Sequence, residues 1–107
     1  MQFQMLWIIM MKLMENKTDI QQLIDRNYAA QVKRGQIKDE TKFFKFVIKI
    51  EDELYELNES YIDTNKDFDS KELIDIMLVC FSMAKHFGID WQQVMKDKVE
   101  YNEKRLD

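Results

Sequence analysis

From Thr18 onward, hydrophobic and polar positions fall into four segments of helical period. Ile20, Leu23, Ile24 and Tyr28 recur at intervals of one helix face and lead to Gly35, a residue suited to closing a helix. Thr18 and Gln21 have capping-box spacing, so the first helix is expected over 19–34. A second begins near Asp39 to Thr41 and runs to about Ile62, with Phe43, Val47, Ile50, Leu54, Leu57 and Tyr61 as its apolar seam. The polar stretch DTNKDFD at 63–69 reads as a loop. Asp69 and Glu72 repeat the capping spacing and open a third helix that ends at Phe87 with Gly88 as its stop. Asp90 and Gln93 open a fourth, which reaches the C-terminus. Short connections between the last helices predict antiparallel neighbours in a bundle.

The third helix is apolar almost all round in LIDIMLVCFSMA, which places it centrally or in a subunit interface. Glu72, Asp75, Val79, Ser82 and His86 fall within roughly 80° of one another on it and form a more polar stripe. Asp75 sits in apolar surroundings, where an ionised carboxylate is costly without a partner or a metal.

Composition agrees with an all-α domain. Among 107 residues there is no Pro and there are two Gly, too few for a fold built on tight β turns. The length suits one domain, expected over 18–107, with 1–17 as an N-terminal extension that is either disordered or an extra helix. The apolar run from Met5 to Met11 is far shorter than the roughly 20 residues of a membrane span, and no basic flank or cleavage site marks a signal peptide. A single cysteine, Cys80, excludes an internal disulfide, so a cytoplasmic protein is expected. With 20 acids against 16 bases and no basic block, a nucleic-acid polymer is a poor partner, and an anionic ligand needs a cation as intermediary.

The acids themselves suggest that cation. Glu51, Asp52, Glu53, Glu56 and Glu59 crowd the second helix, and Glu53 and Glu56 project one turn apart. Glu72 and Asp75 form a similar pair on the third helix. Antiparallel helices leaving one loop bring both pairs together, and a hard divalent cation relieves the resulting repulsion. On the fourth helix Lys98, Asn102 and Arg105 are spaced to share one face.

The series KIEDELYEL, a fifteen-residue spacer after Glu56, ELID and then KVEYNEKR resembles the motifs of the all-α nucleoside triphosphate pyrophosphohydrolases of MazG type. The resemblance covers residues 37–105, and Asp52 stands where the first Glu of the family doublet usually stands. It implies an Mg²⁺-dependent hydrolase, with Mn²⁺ as a substitute, that cuts an NTP or dNTP between the α and β phosphates. Glu53, Glu56, Glu72 and Asp75 are then the metal ligands. Asp52 or Glu53 acts on the attacking water, and Lys98, Asn102 and Arg105 hold the triphosphate. Phosphoribosyl-ATP is a substrate of relatives with the same fold and is a second candidate. The family assembles as dimers or tetramers, so a homodimer or homotetramer is expected.

The remaining chemistry-bearing residues have plainer readings: His86 at a surface or helix end, Cys80 in the core, Trp91 as an anchor, and Phe43, Phe44 and Phe46 as packing. Two alternatives stand beside the enzyme. One is a non-catalytic helical bundle whose apolar third helix binds a partner, and the other is a metal-binding family member without activity.

Overall fold

Three aspartates begin helices by accepting from backbone N–H groups: Asp19 from Gln21 at 2.9 Å, Asp69 from Lys71 at 2.9 Å and Asp90 from Gln93 at 3.3 Å. Two glycines in the left-handed region, Gly35 at φ 74° and Gly88 at φ 69°, follow the ends of the helices begun by Asp19 and Asp69. The N–H groups that follow, of Gln36 and Ile89, each return to a carbonyl five residues back, at Gln31 and Ala84. The computed structural model describes residues 3–16, 19–63 and 67–106, with the side chains of 11–16 outside that description. Thr18, expected to cap the first predicted helix, lies outside the described residues; Asp19 is the cap.

Among the described residues five helices make up an all-α fold: α1 (Phe3–Asn16), α2 (Ile20–Lys33), α3 (Phe43–Asp63), α4 (Ser70–His86) and α5 (Trp91–Lys104). The last four are those expected from periodicity, and α1 comes from the apolar N-terminal stretch. α4 packs on both α2 and α3, most extensively on α3. Ile24, Ile37, Phe46 and Val79 form the buried apolar core, with Gln31, Glu53 and Ser82 buried among them.

Which faces turn inward differs from the periodicity. On α3 the buried residues are Phe46 and Glu53, while Phe43, Leu54 and Tyr61 of the expected seam are exposed. The inward face is therefore rotated by roughly 70° from the apolar seam. On α4 the more polar stripe faces the bundle: Val79 and Ser82 are buried and Glu72 and His86 half-buried, whereas Leu73, Ile74 and Met77 are exposed. Cys80, expected in the core, is exposed. Both helices have more apolar surface than their neighbours within one chain cover.

His86 closes α4, as a helix-end residue, but it is bonded inward. The Thr41 carbonyl 2.7 Å from Nε2 can only accept, so Nε2 carries the proton and Nδ1 accepts from the Tyr28 hydroxyl at 2.9 Å. Trp91 anchors the start of α5 by donating to Gln21 at 2.7 Å and meeting Phe81 edge to face. After Trp91 every described residue of α5 is exposed, so this helix is not the packed antiparallel neighbour expected of it. The described side chains of α1 are also exposed. The chain is correspondingly extended, with a radius of gyration of 18.5 Å where a compact domain of this length has about 13 Å. Its accessible surface is 9263 Å², against about 6,400 Å² for a compact monomer of this mass.

Candidate active site

The C-terminal half of α3 meets the first turn of α4 through three carboxylates. Glu53, Glu56 and Glu72 each offer an oxygen, and these oxygens lie within 4.8 Å of one another. The rotation of α3 turns Glu53 into the bundle, where it is 5% exposed. Lys49, one turn earlier, bonds to one Glu53 oxygen at 2.9 Å. The other oxygen, Oε2, is buried without a hydrogen-bond partner, and so is Oε2 of Glu72.

The electrostatics follow from this crowding. The Glu53 carboxylate, first as a hydrogen-bond acceptor for a protonated Glu56 and then by its charge, raises the carboxyl of the exposed Glu56 above its ordinary value, with smaller contributions from desolvation and the Glu72 charge. The bond to Glu53 likewise raises the Lys49 ammonium. Two orphaned carboxylate oxygens beside a third carboxyl are unfavourable unless a cation joins them. An all-oxygen set of carboxylates suits a hard divalent ion, so the residues present fit one.

The other expected site residues are placed differently. Asp75 shares the inward stripe of α4 with Glu72 but is exposed and stays outside the close group of oxygens. The expectation that it is buried and requires a partner does not hold. Asp52 is exposed and, one residue from Glu53, faces another way. Lys98 and Asn102 are exposed on α5, with the Lys98 ammonium 4.8 Å from the centre of the Tyr101 ring. Arg105 caps α5 at its C-terminal end, its N–H still bonded to the Tyr101 carbonyl at 3.2 Å, so it keeps the spacing that puts it on the face of Lys98 and Asn102, and the chain turns away only after it. α5 has no extended packing against α3 that would bring them to the glutamates.

Linked to the glutamates through Lys49 is a cavity of about 300 Å³ whose lining includes Gln31, Ile37, Phe46, Val79, Lys49 and Asp52. Lys49 belongs to both places. The periodicity did not point to Gln31 or Ile37. The signal available was the pair Asn27 and Gln31, two polar residues one turn apart on the face of α2 that carries Ile24.

A family model described as phosphoribosyl-ATP pyrophosphohydrolase matches residues 17–100. No curated protein and no solved structure shows a significant match.

Proposed function

The chain belongs to the phosphoribosyl-ATP pyrophosphohydrolase family, and from that premise we propose that it hydrolyses a nucleoside triphosphate between the α and β phosphates with Mg²⁺ bound to its glutamates. It is a MazG-like pyrophosphohydrolase, a hydrolase acting on acid anhydrides. The products of the proposed reaction are a nucleoside monophosphate and pyrophosphate. An NTP, a dNTP and phosphoribosyl-ATP share the bond that is cut, because each carries the triphosphate on a nucleoside. The observation that carries the reading is the group of Glu53, Glu56 and Glu72, with two buried oxygens lacking any partner, linked through Lys49 to a cavity.

Glu53, Glu56 and Glu72 would hold the ion, with Asp75 one turn from Glu72 as a fourth ligand and Mn²⁺ as a substitute. When bound, the ion neutralises phosphate charge and positions the anhydride. Lys49 fixes the Glu53 carboxylate through one oxygen and leaves the other for coordination. Asp52, exposed at the cavity and free of the crowding around Glu53, orients the attacking water and accepts its proton. Lys98, Asn102 and Arg105 contribute to holding the phosphates.

Assembly completes the site in this reading. We place the catalytic domain at 18–107, with 1–17 as an extension, and the match from residue 17 supports that division. The surface in excess of a compact monomer, the exposed Leu73, Ile74 and Met77 of α4 and the unpacked α5 support a homodimer or homotetramer. Among the described residues no helix is long and apolar enough to cross a membrane; a cytoplasmic site of action is part of the proposal.

The test is product analysis. The purified chain with Mg²⁺ is given NTPs, dNTPs and phosphoribosyl-ATP, and ³¹P NMR follows the phosphates. Equal amounts of pyrophosphate and monophosphate are expected. Orthophosphate with a diphosphate, or no turnover of any triphosphate, refutes the reaction.

A further inference from the structure

Cutting a phosphoanhydride calls on the glutamates and the triphosphate, and it leaves the cavity without a task. Three of its walls are apolar and buried: Ile37 after α2, Phe46 on α3 and Val79 on α4, each 4% exposed. Gln31, at 9% exposure, is the polar residue buried among them.

The orientation of the Gln31 amide is set by its neighbours. Its Oε1 accepts from the Ser82 hydroxyl at 2.6 Å and is approached by Asn27 Nδ2 at 3.5 Å. A separation of 2.6 Å belongs to an O–H···O bond, whereas N–H···O bonds centre near about 2.9 Å. The carbonyl therefore faces Ser82, and the two donors around it leave no capacity for a third. The NH₂ group is left as the free end of a side chain that lines the cavity. No described residue accepts from it. The residue is buried but its NH₂ group is not enclosed, so a donor of this kind can be met by a ligand that brings an acceptor into the cavity.

The same cavity is lined by Lys49, which is bonded to Glu53, and by Asp52. A ligand seated here thus meets buried apolar walls, a hydrogen-bond donor, and the Lys49 side chain that leads to Glu53. The volume, about 300 Å³, is at the small end of the range for ligand pockets, about 300–1,000 Å³. A flat ring bearing an acceptor, joined through a sugar to phosphates, matches that combination of features.

The geometry points to Gln31 as the residue that reads the nucleobase, its Nε2 donating to a carbonyl oxygen or ring nitrogen of a base held against Ile37, Phe46 and Val79. This rests on the proposed reaction for the direction in which the phosphates leave the cavity. The base contact itself needs neither phosphate nor metal.

That independence shapes the experiment. The full-length chain, without divalent metal, is titrated with adenosine, guanosine, cytidine, uridine and thymidine, and amide shifts are followed by NMR. At least one nucleoside is expected to bind and to move the signals of residues around Gln31 and Ile37. Gln31→Glu keeps an oxygen for Ser82 and replaces the donor by an acceptor, so its affinity should fall at least tenfold. Ile48→Trp, a substitution at an exposed residue of the cavity wall, should weaken binding without disturbing the core. Melting curves identify a variant that has not folded. Absence of nucleoside binding, or equal affinity of folded Gln31→Glu and the wild type, overturns the assignment. Binding that depends on Gln31 without turnover of any triphosphate sinks the reaction alone, and turnover without such binding sinks the base contact alone.

Discussion

Glu72→Gln separates a metal site from a merely acidic surface, because the two assign opposite signs to its effects. Glu72 is half-buried, its Oε2 has no partner, and an oxygen of it lies within 4.8 Å of one on the buried Glu53. Two carboxylate charges at that separation repel by about 3.5 kcal/mol at an effective dielectric of 20. Solvent on the open side of Glu72 screens the pair and reduces the recoverable part to about 1–2 kcal/mol. The new amide also offers a donor beside the unpartnered Glu53 oxygen. Metal-free Glu72→Gln should therefore melt roughly 4–10 °C above the metal-free wild type. With Mg²⁺ the order reverses: a ligand at 100 times its dissociation constant stabilises the wild type by about 2.7 kcal/mol, a gain the variant should largely lose. Scanning calorimetry with and without Mg²⁺ reads both effects, and pyrophosphate release should fall at least a hundredfold. A variant that melts lower than wild type without metal, or responds to Mg²⁺ as wild type does, refutes the reasoning.

Three further outcomes are expected. Because the folded-state pKa of Glu56 is raised above 4.5, its contribution to metal-free stability is present below that pH and is lost as pH rises through the raised value. Mg²⁺ requires the deprotonated form, so its stabilising effect in melting curves should grow over the same interval, and a response flat across it would contradict the assignment. Asp75→Asn should reduce turnover while leaving the metal-free melting temperature within a degree or two, since Asp75 is exposed; a clear rise would show that it is buried in solution. Met77→Glu alters a residue 47% exposed on a single chain, so it would cost a monomer little. If α4 forms the subunit contact, light scattering should show a fall to monomer mass together with lost turnover, and an active monomeric wild type would exclude the assembly.

The helices, most of their caps and the spacing of the acids were legible in the chain because each depends on neighbours within about four residues. An Asp accepts from N–H groups two or three positions on, as at Asp69 and Asp90, whereas for the helix at Ile20 the spacing pointed to Thr18 and the cap is Asp19. Two glutamates three apart share a face in any helix, so the pairing of Glu53 with Glu56 needed no tertiary information. Which face each helix presents to the others was decided only in the fold. Periodicity reports that α3 and α4 have apolar faces, but not whether the surface that meets them belongs to the same chain or to another. In the structure Glu53 occupies the buried direction of α3 and Ser82 that of α4, while Leu54, Leu73, Ile74 and Met77 lie outside. The same choice left Asp75 in solvent and exposed Cys80. It also built the cavity from Ile37, Phe46, Val79 and Gln31, residues brought together from separate elements. A helical pattern constrains angle around its own axis, and contact across helices depends on how several axes are rotated against one another, a quantity no single segment contains.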